Sequence, residues 1–380
     1  MLRWMILWLL CLPSALLACE GATPPVYQLV HGDWGSDSPT MNAFYTFVVH
    51  KGALFAGGRV VNGAPAPTAR VLRTLDGVTW TPVALPFKPQ DNEVRRLWSA
   101  SNGYLYAVTQ GGTPHLYRSR DGVTGWQVVN AGLVSSDSYG RWFAEFQGAL
   151  YLAVHTDAEI PARVIRAPLP AGKPWEEVWT APLPIGQAYQ PYTPNAANSL
   201  YAGVSRIYVT TNRAGPNEQG GVFRSADGTS WTRINQAQFG QGTNLVHSLV
   251  SWHGALWVGT QNTSVGGAIW SSGDHGVTWI KRSADGLGIG PSEEEVYRLF
   301  PWGNWLLIGT VNRTDGGRVW ATCDGDTYWP LGAPGFGGGH DYQGVFDFAL
   351  FAGAVYTSQR VASVSTDVQT FPTTILLNQE

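Results

Sequence analysis

Cysteine, lysine and long apolar segments are scarce in this chain of 380 residues, and each scarcity excludes a class of protein. Three cysteines are too few for the disulfide framework of a small secreted scaffold. No spacing of Cys and His predicts a zinc site, and no motif predicts a cofactor, so neither a metal nor a cofactor is expected.

Charged residues make up only 13% of the chain, and the formal net charge is −3. A nucleic-acid partner normally requires a basic surface, so none is expected. Amphipathic helix patterns and linkers are also absent, whereas Gly (46), Pro (24) and Trp (18) are abundant. This composition favours many short strands joined by tight turns.

An export signal is predicted at the N-terminus, over residues 1–18. Trp4–Leu17 is apolar but too short to span a bilayer comfortably, and Arg3 precedes it. Leu16-Leu17-Ala18-Cys19 resembles a bacterial lipobox, which implies that Cys19 is lipidated and becomes the mature N-terminus of an envelope lipoprotein. In that case the membrane is contacted only through the lipid.

Simple secretion is the alternative, or a signal peptide in a eukaryote. In a eukaryote, two segments would read as glycosylation sequons, Asn262-Thr263-Ser264 and Asn312-Arg313-Thr314. Since Cys11 leaves with the signal, lipidation of Cys19 would make Cys323 a lone, buried thiol.

Five short segments repeat the pattern Ser/Thr-x-Asp-Gly-x-Thr-Trp with small changes in length. They are named the aspartate turns: Thr74–Trp80, Ser119–Trp126, Ser225–Trp231, Ser272–Trp279 and Thr322–Trp329. Asp-Gly between strand-like runs predicts a tight hairpin, because Gly can take positive φ. The Ser/Thr hydroxyl and the Asp carboxylate can accept hydrogen bonds from turn amides. A structural role is therefore predicted for Asp76, Asp121, Asp227, Asp274 and Asp324.

These turns resemble the Asp-box, or bacterial neuraminidase, repeat, and Ser272–Trp279 matches its usual spacing without a gap. The resemblance implies a β-propeller in which the boxes lie on the face away from the active site. The early Arg-Ile-Pro signature of sialidases is missing, so the resemblance implies a sialidase-like fold without sialidase activity.

A second marker, a Gly-centred turn between apolar strands, recurs between the aspartate turns. Its positions are Gly52, Gly103, Gly148, Ser205 (a degenerate copy), Gly254, Gly303 and Gly353, at intervals of 51, 45, 57, 49, 49 and 50 residues. A period near 50 residues is typical of a four-stranded propeller blade. The sequence therefore predicts an all-β, seven-bladed β-propeller over residues 41–380, after an N-terminal segment over 19–40.

Two weak aspartate turns complete the predicted set, in Ala167–Gly172 with Trp175 and in Ser365–Phe371. Ring closure is expected between the two ends of the chain, through either Val26–Val30 or Thr373–Leu377.

The predicted binding face carries the loops that enter each first strand. If these strands alternate strictly, either Arg95, Arg141, His247, Tyr297 and Phe346 or their neighbours face the channel. The candidate ligand-binding residues are Arg95, Arg141, Trp142, His247, Tyr297, Arg298, His340 and Asp341. Further candidates for stacking on a ligand are Trp98, Trp142, Tyr189 and Tyr192.

Two functions remain open on this face. The preferred one is a non-catalytic surface module that binds a glycan or protein at the cell envelope. The alternative is a glycoside hydrolase or polysaccharide lyase, which needs two carboxylates or a His/Tyr pair. The carboxylate candidates are Asp91, Glu93, Glu293, Glu294, Glu295, Asp341 and Asp347, of which Glu293–Glu295 is read as a solvated turn. The sequence identifies neither the ligand nor the oligomeric state.

Overall fold

A computed structural model describes twelve stretches of the chain: 26–31, 41–60, 67–129, 131–156, 160–169, 174–182, 197–213, 219–235, 239–240, 242–243, 245–361 and 373–378. Within them the secondary structure is β-strand apart from three short 3₁₀ helices, Asp285–Gly288, Pro334–Gly337 and Gly339–Asp341. No described segment forms an apolar helix of membrane-spanning length. The all-β prediction is confirmed.

The strands pair antiparallel in consecutive groups of four, named units here. The first strand in the chain is β1, Val26–His31. Unit 1 contains β2 (Met41–His50), β3 (Ala53–Val60), β4 (Ala69–Thr74) and β5 (Trp80–Val83). Unit 2 contains β6 (Glu93–Ser99), β7 (Leu105–Gln110), β8 (Leu116–Ser119) and β9 (Gln127–Val129). Unit 3 contains β10 (Asp137–Phe146), β11 (Ala149–Thr156), β12 (Arg163–Pro168) and β13 (Glu176–Thr180).

The later units follow the same order. Unit 4 contains β14 (Ala197–Ala202), β15 (Ile207–Arg213), β16 (Gly220–Ser225) and β17 (Thr232–Arg233). Unit 5 contains β18 (Leu245–Trp252), β19 (Ala255–Gln261), β20 (Ile269–Ser272) and β21 (Ile280–Lys281). Unit 6 contains β22 (Glu295–Trp302), β23 (Trp305–Val311), β24 (Val319–Thr322) and β25 (Trp329–Leu331). Unit 7 contains β26 (Tyr342–Phe351), β27 (Ala354–Val361) and β28 (Thr373–Asn378), and β28 pairs with β1.

The two ends of the chain meet in unit 7. β1 pairs with β28 along its full length, from Val26 opposite Asn378 to His31 opposite Thr373. β28 pairs in turn with β27, and β27 pairs with β2 where Arg360 lies opposite Ala43. The sequence named one terminal segment or the other for this role, but both take part. Residues 1–25, with the predicted signal and Cys19, lie outside the described residues.

Four aspartate turns share one hydrogen-bond pattern, shown by that of unit 1. The Asp76 carboxylate accepts from the amides of Val78 and Thr79 at 2.8 and 2.7 Å. The Thr74 hydroxyl donates to Asp76 at 2.9 Å and accepts from the amide of Gly77 at 2.8 Å. Corresponding bonds form at Asp121, Asp227 and Asp324. Hydrogen bonds donated by the Val78 and Thr79 amides lower the pKa of Asp76, so the turn favours the ionised carboxylate.

The glycine of each of these four turns lies against an aromatic ring of a neighbouring unit. A Cβ added at any of them would clash with that ring: Gly77 with Tyr356, Gly122 with Phe55, Gly228 with Tyr151, and Gly325 with Trp257. Glycine is therefore required for positive φ and also for packing between units. Parts of the two weak turns, residues 170–173 and 362–372, lie outside the described residues, so those predictions remain untested.

Cys323 lies in the aspartate turn of unit 6 and is fully buried, as predicted. It is disulfide-bonded, whereas lipidation of Cys19 would leave it as a lone thiol. Cys11 and Cys19 lie outside the described residues.

Candidate functional site

A β-bulge at matching positions in the first strands shapes the end of the units opposite the aspartate turns. In β6, Val94 lies opposite Thr109 and Arg96 opposite Val108, which leaves Arg95 without a partner residue. The same shift leaves Tyr45, Arg141, His247 and Tyr297 unmatched in β2, β10, β18 and β22. In β26 the shift falls between Val345 and Phe348. A bulge re-aims side chains that regular alternation would send to opposite faces.

The bulges direct consecutive side chains towards a common centre. A cavity there is lined by Tyr45, Arg95, Arg96, Arg141, Trp142, His247, Ser248, Tyr297 and Phe346. Its volume is about 20 Å³, which is enough for about one water molecule. The prediction that one set or the other faces the channel is therefore wrong, because both Arg95 and Arg96 line the cavity, as do both Arg141 and Trp142.

Asp347 joins two of four guanidinium groups near this centre; the four, Arg95, Arg96, Arg141 and Arg298, are named the arginine cluster. The Asp347 carboxylate contacts Nη1 of Arg96 at 2.9 Å and Nε of Arg298 at 3.0 Å, and it is 1% exposed. Both guanidiniums also lie over the Trp142 ring, at 3.3 and 4.2 Å from its centroid. One buried carboxylate thus serves two cations.

Arg95 is paired less fully. Its Nη1 lies 3.0 Å from Glu93, but Glu93 also contacts Arg59 at 3.3 Å. The rings of Tyr45 and Tyr139 flank the Arg95 guanidinium at 4.5 and 4.3 Å. These cation–π contacts hold the side chain in place at the cavity wall.

Arg141 has no ion pair with any described carboxylate. It donates to the hydroxyls of Tyr139 and Tyr297 at 3.1 and 3.3 Å, and to Nδ1 of His247 at 3.0 Å. Because a guanidinium only donates, Nδ1 must be the acceptor and the His247 proton lies on Nε2. Nε2 is 3.2 Å from Glu295, which is close in distance but too bent for a well-aligned hydrogen bond.

The pKa values of the titratable groups near the cavity reflect both their burial and the positive charge of the arginine cluster. Burial alone raises the pKa of Tyr139, but the cations of Arg141 and Arg95 lower it overall. Burial, followed by the same two cations, lowers the pKa of His155 to about 3; its ring stacks on Tyr139 at 4.7 Å. Burial also opposes ionisation of Glu295, yet contacts with His247 and Arg313 lower its pKa to about 2. Burial lowers the pKa of His247, and we assign it as neutral beside an ionised Glu295.

Most predicted binding residues converge at this centre, and two do not. Arg95, Arg141, Trp142, His247 and Tyr297 line the cavity, and Arg298 reaches it through Asp347. The side chains of His340 and Asp341 are 71% and 41% exposed, contact each other at 3.3 Å, and do not line it.

Of the four candidates for stacking on a ligand, only Trp142 lines the cavity, and several cavity residues were not predicted. Trp98 stacks on Phe143 within the core rather than at the cavity. Tyr189 and Tyr192 lie outside the described residues. The residues that sequence reasoning did not name as binding candidates are Tyr45, Arg96, Tyr139 and Ser248. Arg96 and Ser248 directly follow the predicted channel positions Arg95 and His247, so a bulge would have been the signal for them.

The carboxylate candidates are occupied by partners of their own. Glu293 is fully buried and accepts from Arg318 at 2.5 Å and from Asn312 at 3.0 Å. Asp91, also fully buried, accepts from the hydroxyls of Tyr117 at 2.5 Å and Thr109 at 2.6 Å. The reading of Glu293–Glu295 as a solvated turn is wrong, because Glu293 and Glu295 are buried. Hydrogen bonds from Arg318 and Asn312 of the same unit compensate the burial of the Glu293 carboxylate. In the described part of the chain, no group of three or more potential metal ligands is assembled.

Comparison with known proteins identifies the fold. No family model and no curated protein matches the sequence. Among solved structures, YCF48 from Cyanidioschyzon merolae matches with a TM-score of 0.60 at 11% identity, over 93% of this chain and 98% of that one. YCF48 bound to D1 peptide matches with a TM-score of 0.55 at 13% identity, over 94% and 99%.

A sialidase of Trypanosoma rangeli, in complex with 2,3-difluorosialic acid, also matches. The TM-score is 0.50 at 10% identity, over 92% of this chain and 59% of that one. These similarities support a sialidase-like β-propeller fold and, at such low identities, nothing beyond the fold. A propeller of this kind is consistent with either a binding or an enzymatic role.

Proposed function

We propose that this chain is a seven-bladed Asp-box β-propeller that binds a peptide or protein partner through a carboxylate, at the arginine cluster. Support for seven blades comes from the seven markers and from the grouping of strands in fours. The contact of Arg360 with Ala43, between β27 and β2, supports closure of the last blade on the first.

The observation that carries the binding proposal is the unneutralised charge of Arg141. Four guanidiniums converge, but Asp347 is shared by two of them, Glu93 is shared between Arg95 and Arg59, and Arg141 pairs with neutral groups. The lowered pKa of Tyr139, which burial alone would raise, reflects the same imbalance. A ligand carboxylate would supply the missing negative charge and accept the forked N–H donors of arginine.

The size of the cavity favours a peptide over a glycan. A volume of about 20 Å³ can admit part of a carboxylate, whereas a pyranose would have to displace the lining side chains. A C-terminal or acidic side-chain carboxylate on a peptide can enter while the rest of the peptide stays on the surface. YCF48, which shares the fold, has been solved with a peptide bound.

The test is a peptide array in which every sequence is present as the free acid and as the C-terminal amide, with a separate set of acidic side chains and their amides. The wild-type protein should bind a subset of the acids, and Arg141→Gln should weaken that binding at least tenfold. Arg282→Gln is the matched control, because Arg282 lies at the other end of the molecule, near Asp326 at 3.2 Å. Equal binding of acids and amides would contradict the proposal.

A catalytic function is the second candidate, because His247 and Tyr297 do converge. Their ring centroids are 4.5 Å apart, and both contact Arg141. Against it, Nδ1 of His247 accepts from Arg141 and Nε2 lies 3.2 Å from the Glu295 carboxylate, so each ring nitrogen already has a charged neighbour. This function is tested by incubating the protein with polysaccharides and assaying for new reducing ends and unsaturated products. Turnover by the wild-type protein that Tyr297→Phe abolishes would favour the catalytic function.

Export and lipid anchoring form the last part of the proposal. Cys19 can carry a lipid thioether or join a disulfide, but not both, and Cys323 is disulfide-bonded. Because Cys11 is removed with the signal, the mature protein can keep an internal disulfide only through Cys19. The intact mass of the exported protein, with and without reductant, distinguishes the two: added acyl mass supports the lipoprotein, and a gain of two hydrogens on reduction supports secretion with a disulfide.

A further inference from the structure

A second cavity lies between units 4 and 5, at the end of the molecule that carries the aspartate turns. Its volume is about 220 Å³, an order of magnitude larger than the 20 Å³ at the arginine cluster. Its walls are the β14–β15 hairpin of unit 4, and the β18–β19 hairpin and the aspartate turn of unit 5. In antiparallel four-stranded units, all three connections lie at the end opposite the start of the first strand. The cavity is therefore separate from the proposed peptide site.

One wall departs from the repeat through an added residue. In the aspartate turn of unit 5, His275 is inserted between Asp274 and Gly276 and takes a left-handed φ of +60°. In units 1, 2, 4 and 6 the glycine follows Asp directly and packs against an aromatic ring of a neighbouring unit. In unit 5 a Cβ on Gly276 would instead meet Ile234, and His275 lines the cavity.

The hairpin of unit 4 is longer than those of units 1, 3, 5, 6 and 7, and only unit 2 has a longer one among the described hairpins. The hairpin of unit 5 has two residues between its strands, with Gly254 at a φ of +75°. In unit 4 four residues, 203–206, separate β14 from β15, closed by a hydrogen bond from the Gly203 amide to the Arg206 carbonyl at 2.8 Å. Val204 at the tip of this hairpin is fully exposed. The cavity thus forms where two neighbouring repeat elements both change length.

The lining has the chemistry of a sugar site. The ring of Tyr201 is half-buried and provides an apolar surface, and it packs 6.2 Å from the ring of Tyr208, which is 2% exposed and belongs to the core. The hydroxyls of Ser205 and Ser251 and the guanidinium of Arg206 provide hydrogen-bonding groups, and none of the lining residues is an acid. A cavity of about 150 Å³ holds benzene, so this one has room for a six-membered ring with its substituents. Aromatic faces with a few polar groups are typical of small-ligand sites.

We propose that this cavity binds one pyranose residue of a glycan. The Tyr201 ring would contact the C–H face of the pyranose, while the serine hydroxyls and Arg206 would bind its hydroxyl groups. This site is distinct from the peptide site proposed above and shares no lining residue with it. Evidence against one site therefore leaves the other unaffected. An aromatic side chain of a peptide has a similar size and is the competing occupant.

The test uses saturation-transfer NMR with free glucose, galactose, mannose, N-acetylglucosamine and glucuronate as probes. We expect at least one of these sugars to give a signal with the wild-type protein. Removal of His275 restores the turn spacing of units 1, 2, 4 and 6, and should reduce that signal at least fivefold. Tyr201→Ala should have a similar effect, and it keeps the test valid if the deletion variant does not fold. Asp341→Ala is the matched control and should leave the signal unchanged, because the Asp341 side chain is 41% exposed and lines neither cavity.

The proposal would be overturned by the absence of a signal from every sugar, by a signal that both variants retain, or by a signal lost on Asp341→Ala instead. Displacement of the sugar by phenylalanine-containing peptides that bind more tightly would assign the cavity to a peptide and would also overturn it. Melting temperatures of the variants establish whether each one is folded.

Discussion

At the end of the molecule that carries the aspartate turns, units 1, 2, 4 and 6 repeat the same contacts with nearly the same residues. At the opposite end, the first strands of units 1, 2, 3, 5 and 6 bulge at the same position, but the bulged residue is in turn Tyr45, Arg95, Arg141, His247 and Tyr297. A repeated backbone feature thus builds the framework at each end, whereas the side chains vary mainly at the second. Where the first end also varies, between units 4 and 5, a cavity opens.

The largest effect is expected from Asp347, which neutralises two guanidiniums at the bulged end. Asp347→Ala would leave Arg96 and Arg298 buried without a counter-charge, which should cost about 3–5 kcal/mol in the free energy of unfolding. Urea denaturation measures this loss. Asp341→Ala is the control, since the Asp341 side chain is 41% exposed and should cost little. Equal losses from the two variants would show that the central ion pairs carry no special weight.

A smaller effect should separate backbone strain from packing at the turn end. Gly148 and Gly228 have φ values of +75° and +76°, but only Gly228 lies against a ring, that of Tyr151. Gly148→Ala should cost about 1–2 kcal/mol from the left-handed backbone alone. Gly228→Ala should cost about 1–3 kcal/mol more, because the added methyl forces the ring to move. If the two substitutions cost the same, the contact between units contributes nothing.

The smallest effect concerns the charge of an exposed aspartate turn. Hydrogen bonds from the side chain and amide of Thr278 lower the pKa of Asp274 from 3.8 to about 2. The folded form therefore favours the ionised carboxylate, and its stabilisation is present above about pH 4 and lost as the pH falls towards 2. Asp274→Asn should lower the melting temperature by a few degrees at pH 7 and have almost no effect at pH 2. A difference independent of pH would rule out the carboxylate charge as its source.

The turns were predictable from sequence because a tight hairpin depends on a few consecutive residues. The hydrogen bonds of the unit 1 turn, for example, join Thr74 to Asp76 and Gly77, which lie only two and three residues away along the chain. The spacing of such segments then predicts groups of four strands. The pairing of β1 with β28 was harder to predict, because it joins residues at opposite ends of the chain.

The site was only partly predictable, because a bulge is a property of two paired strands rather than one. Strict alternation separates Arg95 from Arg96, and only the register against β7 shows that both line the cavity. Burial of Glu293 was missed for a related reason: its partner Arg318 lies 25 residues further along the chain. Neither relation leaves a local signature in the sequence.

The most direct test of the central claim is a thermodynamic cycle measured by calorimetry on the best peptide from the array. One change converts the ligand carboxylate to its amide, and the other is Arg141→Gln. The account predicts that each change alone weakens binding at least tenfold, about 1.4 kcal/mol, and that the second change adds little once the first is made. Fully additive effects would mean that Arg141 and the carboxylate do not meet, and would contradict the assignment of the arginine cluster as the binding site.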